Sequence, residues 1–512
     1  MPEIARKRLA LAGLSLSAFV AYLDFAIVNT ALPSIQRDLS LTFVQLQWVM
    51  NIFVLALCIF MVNMGRFGDI FGRRLLLYIG LACFAAASLL AGTAPNGPTL
   101  IAARAFQGFA ITMIVPSSLA LVSDTASPSQ QGHAIGIWTS ITGVGLAIGP
   151  VVGGLLTSAL SWRWIFFVNI PIVAIAFVLC SMSVKEVVRK DSEERVDWVG
   201  FLLMILGIGS LVVAVVQGPE WGWTSRLTIA LALVALVSFG LLYLVESNVK
   251  SPILNLALFS NRGFLSGAFA NFTLIGFAYS AFFLMPLYLR SIVGQEAYQT
   301  GFFMLPITLL IVIVAPIAGR MVDTKGAKLP VLLGLLSLAI SALVQSMLRE
   351  NSSLFHILTG FVFVGLGWGL ILSSAAFSAI SSLPRTLSGT ASGALWTVQN
   401  LGGSIGLAIA GTIFRHAERT SLMNGLAASD IRLTQDQQNL IRSLLSDSSE
   451  AKRFIGEFPS AIAESVWPLF RNAFIHGYSS AFLFLLGVSL AAFLVVAATM
   501  RNIARKELNA SP

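Results

Sequence analysis

Charge is what this chain has least of. Of its 512 residues only 11% are Asp, Glu, Lys or Arg, against 56% apolar residues, and the mean hydropathy is +0.85. So few charges cannot coat a surface facing water, which excludes a soluble protein and leaves a polytopic membrane protein. Cysteine is scarcer still: Cys58, Cys83 and Cys180 all lie inside apolar runs, as small core residues do, and they offer no framework for disulfides and no metal cluster. No nucleotide-binding Walker loop occurs, which argues against an ATP-driven pump or any enzyme of that kind, and no cofactor is implied. The first apolar run is full length and lacks a small-residue cleavage site, so it reads as a retained span and not as a signal peptide. The net charge of +9 would invite nucleic acid in a soluble chain. Here the basic residues sit at the ends of apolar runs, where they report orientation, and no nucleic-acid partner is expected.

What the chain has in abundance is apolar stretches of about 20 residues, the length that crosses a bilayer. There are fourteen: 9–32, 43–64, 75–94, 99–122, 134–159, 164–184, 197–217, 226–246, 264–289, 300–321, 329–348, 354–377, 388–413 and 477–500. A polar segment, Gly65 to Arg74, separates the second and third. It recurs in decayed form 254 residues later, where Gly319, Arg320, Asp323, Gly326 and Lys328 match Gly65, Arg66, Asp69, Gly72 and Arg74. Repetition of one loop between hydrophobic spans is the mark of an internally duplicated transporter. The expected fold is therefore all-α and membrane-embedded, with six-helix bundles in 1–190 and 251–512 and two extra helices inserted in 191–250.

Lys and Arg concentrate in the segments that face the cytoplasm if the N-terminus is inside, among them Arg6, Lys7, Arg8, Arg73, Arg74, Arg189 and Lys190, whereas the short opposite loops carry only Arg37, Arg163, Arg226, Arg290 and Arg349. Both termini are thus expected in the cytoplasm. One long polar segment remains, 414–476, with seven basic and seven acidic residues. Apolar residues at helical spacing in 431–445 and 454–466 predict amphipathic helices on the outer membrane interface.

Several residues carry candidate chemistry. In the 65–74 loop, Gly65 and Gly72 allow a tight reversal, Arg73 holds it cytoplasmic, and Asp69 can neutralise a helix N-terminus such as the one near Ser388. In the fifth span Gly145, Gly149, Gly153 and Gly154 place small residues on one face, and Pro150 bends the helix. Asp24 and Arg104 are ionisable groups inside spans, expensive there and functional by default. At about 1.5 Å per residue they reach similar depth in the outer half of the first bundle. An arginine held against the carboxyl keeps it ionised and its withdrawal invites a proton, although a purely structural ion pair is the rival reading. Asn29, Asn51, Trp138, Asn271, Tyr279, Trp368, Trp396, Gln399 and Asn400, among many Phe and Met, are candidate cavity residues suited to a neutral or amphipathic organic molecule.

The segment Gly65 to Arg74 resembles motif A of the major facilitator superfamily, and Gly145 to Gly154 resembles its antiporter motif C. Leu23 to Pro33, Trp162 to Pro171 and Trp221-Gly222-Trp223 are similar to the fourteen-span drug/proton antiporter branch of the EmrB/QacA type. The resemblance implies a multidrug efflux antiporter of a bacterial inner membrane. It further implies that Asp69 locks the outward-facing state, that the motif C face meets the other bundle, and that a periplasmic adaptor is a possible partner. A dedicated exporter of one metabolite, such as a siderophore or antibiotic, and a nontransporting receptor are the alternatives.

Overall fold

The computed structural model describes residues 3–125, 131–184, 197–248, 256–383, 388–428 and 460–500. Among them are fifteen α-helices, one 3-10 turn and no strand. The first bundle holds α1 (Glu3–Asp38), α2 (Phe43–Phe71), α3 (Arg73–Gly92), α4 (Gly97–Thr125), α5 (Gln131–Ala159) and a sixth span broken at Val168 into α6 (Trp164–Phe167) and α7 (Asn169–Ser183). A hairpin follows, α8 (Trp198–Trp221) and α9 (Arg226–Glu246). The second bundle begins with the 3-10 turn Leu256–Ser260 and holds α10 (Arg262–Ser291), α11 (Ala297–Lys325), α12 (Lys328–Ser346), α13 (Leu354–Ser381), α14 (Ser388–Ala428) and α15 (Ser460–Thr499). Local chemistry sets several starts. Thr42 and Gln45 form a reciprocal capping box on α2, and Asn261 Oδ1 accepts from the Gly263 and Phe264 amides in the first turn of α10.

Twelve of these helices are long and apolar enough to cross a membrane. This is two short of the fourteen expected. The other two are α2, whose described apolar stretch is Gln45–Met61, and α14. Gln47, Asn51 and Asn63 on α2, and Gln399, Asn400 and Ser404 on α14, are buried, and the two helices pack on each other across the seam between the bundles.

The repeated segments are less loop-like than expected. Helix α2 runs through Gly65 and Gly68 to Phe71, and only Gly72 breaks it, at φ 104°. Its counterpart Gly326 breaks α11 in the same way, at φ 81°. A left-handed φ is the one feature here that a side chain resists, so the duplication has kept its glycine where the backbone reverses. The side chain of Asp69, and so its expected contact near Ser388, lies outside the described residues. We call the end of the molecule that carries these breaks the motif face, and the opposite end the far face.

The 414–476 segment departs from expectation. Helix α14 continues to Ala428, α15 already begins at Ser460, and the two run on together, with Leu469 beside Gly425 and the Phe414 and Phe474 rings 5.2 Å apart. Residues 414–428 and 460–476 therefore continue two of the long helices, which pack on each other at Gly425 and Leu469 and at Phe414 and Phe474. The expected helix 431–445 lies outside the described residues.

The motif C glycines also do something other than expected. A Cβ on Gly145 would stand 2.7 Å from the Phe19 carbonyl oxygen, and one on Gly149 would stand 2.5 Å from Cβ of Ala26. Gly153 meets Ile27 and Thr30 in the same manner, and Gly154 beside it is buried. All three contacts are with α1, in the same bundle. The other bundle meets a different face of α5: Gly301 of α11 packs against the Pro150 carbonyl, Thr308 donates to the Ala147 carbonyl at 3.2 Å, and Gly143 faces Val312. Small residues thus seal α5 onto α1, while Pro150 serves the seam. Gly149→Leu should overpack this contact at a cost of about 1–3 kcal/mol or more. A lower melting temperature of the purified protein would register it, and a wild-type value would remove the packing argument.

Candidate functional site

The sequence places one acid deep in the first bundle, and the fold surrounds it. Asp24 and Arg104 are both fully buried, and Arg104 Nη1 donates to Asp24 Oδ2 at 2.5 Å. Asp24 Oδ1 accepts from Asn169 Nδ2 at 2.7 Å and from Gln107 Nε2 at 3.1 Å. Gln107 lies one turn beyond Arg104 on α4; its Oε1 accepts from Arg104 Nη1 at 2.9 Å and its Nε2 also reaches Ser88 Oγ at 2.9 Å. Arg104 Nε donates to the Val49 carbonyl at 3.2 Å, and its guanidinium lies 4.1 Å from the centre of the Phe53 ring. One carboxylate thus gathers α1, α2, α3, α4 and α7. A buried ion pair is tolerable only when both charges are paired and hydrogen-bonded, and this one largely is.

Gln107, Ser88 and Asn169 were not singled out from the sequence. Gln107 had a signal, three residues from Arg104 on the same helical face. Asn169 had one too, as the amide within the Trp162 to Pro171 segment that resembles the antiporter branch, but no role was attached to it there. Ser88 had none.

The expected cavity residues fall into three groups. Asn29 and Tyr279 meet across the seam, lining a crevice with Phe25, Met50, Val54, Phe282, Phe283 and Leu407 that has room for about one water molecule. The Phe25 and Tyr279 rings are 4.7 Å apart, Tyr279 donates to Asn400 Oδ1 at 3.2 Å, and Asn400 donates to the Trp396 carbonyl at 2.8 Å. Asn51 and Asn271 are buried with both amide atoms lacking a hydrogen-bond partner, as is Trp368 Nε1, whose ring sits edge-on to Phe282. Gln399 is buried on α14. Trp138 stands apart, donating to Ser118 within the first bundle.

Seam contacts run from the far face to the middle. A Cβ on Gly411 of α14 would stand 3.0 Å from Gln47 Nε2, and Cys58 Sγ lies 4.0 Å from Ser404 Oγ. Further along α11 toward the motif face, Gly319 has nothing within 4 Å of where a Cβ would stand. At the motif face Arg73 pairs with Asp124 at 2.7 Å, binding the α2–α3 corner to the end of α4. On the far face Asp38 accepts from Trp162 Nε1 at 2.9 Å and from Arg163 Nη1 at 2.5 Å, while Arg163 Nη2 reaches the Ala94 carbonyl at 3.3 Å. This clamp joins three corners of the first bundle.

Two helical bundles meeting along a glycine- and amide-lined seam, with a buried ion pair beside it, define a membrane transporter and not an enzyme. The chain belongs to the Major Facilitator Superfamily, whose family model matches residues 14–407. It is 32% identical over 452 residues to the multidrug resistance protein Stp of Mycobacterium tuberculosis, covering 88% of this chain and 83% of that protein. It is 29% identical over 404 residues to the tetracenomycin C resistance and export protein of Streptomyces glaucescens, covering 79% and 75%. Among solved structures it is similar to a bacterial homologue of the human lysosomal transporter Spinster, at 14% identity and a TM-score of 0.65, covering 96% of this chain and 98% of that one.

The far-face clamp has a defined pH signature. Hydrogen bonds first from Arg163 and then from Trp162 hold the Asp38 carboxyl below its ordinary value of 3.8. A group whose pKa is lowered on folding stabilises the fold above its unfolded value and loses that contribution as pH falls through the lowered one. Half-exposed, the pair is worth about 0.2–1 kcal/mol. Asp38→Asn should therefore melt slightly below wild type at neutral pH, with the gap closing in acid. A gap that persists unchanged in acid would show that charge is not its source.

Proposed function

We propose that the chain is a proton-coupled antiporter that exports small lipophilic or amphipathic organic compounds by alternating access. The observation that carries this reading is the buried Asp24–Arg104 pair. It supplies a titratable carboxyl at the heart of the bundle whose neutralisation would free the arginine, which is what coupling to a proton requires. The names of the relatives, a multidrug resistance protein and an antibiotic resistance and export protein, support export of organic molecules. The unpartnered amides of Asn51 and Asn271 amid aromatic and aliphatic neighbours suit a neutral compound with a few hydrogen-bonding groups.

In this reading α2 and α14 also cross the bilayer, making fourteen spans, and the motif face is cytoplasmic in a bacterial inner membrane. The far-face seam is the closed gate, and substrate enters from the motif face. A second reading, dedicated export of one metabolite, draws support from the relative named for tetracenomycin C. A periplasmic adaptor would find its place on the α14–α15 extension.

Coupling is tested on the carboxyl. Removing one member of a buried pair strands the other charge at a cost of about 3–5 kcal/mol, so Asp24→Asn is compared with Asp24→Asn/Arg104→Gln, which removes both charges. In inverted vesicles, with tetracenomycin C and a lipophilic fluorescent dye as probe substrates, both variants should lose accumulation driven by an inward-acidic gradient while keeping substrate exchange without a gradient. Full gradient-driven accumulation by the double variant would sink the proposal.

Orientation has its own check. A cysteine replacing Ser448 should react with an impermeant thiol reagent from outside the cell, and one replacing Arg189 should not. The reverse pattern would invert the topology.

A further inference from the structure

The groups around Asp24 are not equivalent in what they can offer. Arg104 has donors only and can never accept a hydrogen bond. Gln107 has an acceptor, but its Oε1 is occupied by Arg104 and its Nε2 is shared between Asp24 and Ser88. The remaining partner is Asn169, whose Nδ2 donates to Asp24 Oδ1 at 2.7 Å while its Oδ1, fully buried, has no partner. Arg104 Nη2 is unpartnered in the same shell. The other elements packed on Asp24 bring no further titratable group: α2 contributes the Val49 carbonyl and the Phe53 ring through Arg104, α3 contributes Ser88 through Gln107, and α5 contributes glycine.

We propose that Asn169 is a positioning residue that holds Asp24 in both of its protonation states by turning its side-chain amide over. With Asp24 ionised, the amide donates through Nδ2, as seen. When a hydronium ion gives its proton to the carboxylate, an O–H bond forms, water departs, and the neutral acid needs an acceptor, which Arg104 cannot give and Gln107 cannot while its Oε1 stays on Arg104. A half-turn about the last side-chain bond of Asn169, a broad and soft torsion, puts Oδ1 where Nδ2 was, and the new hydroxyl donates to it. The acid then stays fixed on α7 while Arg104 lets go of the carboxyl and keeps its bond to Gln107. An aspartate or a lysine at 169 could not serve both states without changing charge. An amide carries both functions on one rigid plane.

This inference rests on the reading of Asp24 as the proton carrier, and the experiment separates the two. Infrared difference spectra are recorded across a pH titration of the purified full-length protein in liposomes. Among the carboxyls that titrate, Asp24 gives the C=O component present in wild type and missing from Asp24→Asn; if Asp24→Asn removes no component, the reading of Asp24 fails, whatever Asn169 does. Given an Asp24 band, Asn169→Leu should move it to higher frequency, because the acid has lost its acceptor, and Asn169→Ser, whose hydroxyl both donates and accepts, should move it back. In wild-type protein carrying 13C-asparagine, the amide C=O signal should change in step with the Asp24 band, and this arm does not depend on any variant folding. An Asp24 band unmoved in Asn169→Leu, or an asparagine amide signal silent through the titration, would overturn the amide turn and leave Asn169 a donor only.

Discussion

A single carboxylate in a low-dielectric interior governs this molecule. Asp24 is fully buried, and an ionised group so placed costs several kcal/mol unless charge and hydrogen bonds answer it. The answer recruits Arg104 and Gln107 from α4 and Asn169 from α7, and through them Ser88 of α3 and the Val49 carbonyl of α2. Five helices are thereby bound to one point. The first bundle can move as a body, but it cannot shear internally without exposing a charge to hydrocarbon.

The contacts between the bundles are of a different order. They consist of glycine on carbonyl at Gly301 and Pro150, one hydroxyl–carbonyl bond at Thr308, a long thiol–hydroxyl approach at Cys58 and Ser404, and the Phe25–Tyr279 ring pair. None of these pairs full charges, and each is worth about 1 kcal/mol or less. Within the first bundle a buried ion pair adds to glycine contacts of the same kind, those of Gly145, Gly149 and Gly153 on α1, and that addition is what would keep the bundle together in the alternating access proposed above.

Legibility in the sequence followed the range of the interaction. The meeting of Asp24 and Arg104 was readable because helical rise fixes depth and buried charges must pair. The reversal at Gly72 and Gly326 was readable because a duplicated glycine has a backbone reason. Spacing fixed that the α5 glycines share a face, but which neighbour that face meets depends on the rotation of the helix, set by packing that no local pattern records. Gly149 therefore meets Ala26 of its own bundle. Asn169 was hidden for a related reason: a lone amide in an apolar run shows its partner only when α7 is laid beside α1. The extension of α14 to Ala428 was hidden by composition, since Arg415, Glu418 and Arg419 read as a loop until α15 is seen alongside.

The inserted hairpin follows the same hierarchy. Helix α8 touches both α2 and α14, so it lies beside the seam that would part in the mechanism proposed above. It packs on both, and its ties to α2 include polar and aromatic ones. To α2 it is joined by the Trp48 indole N–H donating to Gln217 at 3.1 Å and by Phe201 packed against Phe60 and Phe67, with Trp198 also on Phe67. Helix α9, outside it, exposes Leu236, Val237, Tyr243 and Leu244. Such a face carries no penalty in lipid, where apolar contact with a neighbour gains little over contact with acyl chains. A polar bond inside hydrocarbon is the costlier one to break, and so is an aromatic cluster. In the opening proposed above, these ties would favour keeping the hairpin on α2, with α14 sliding past it.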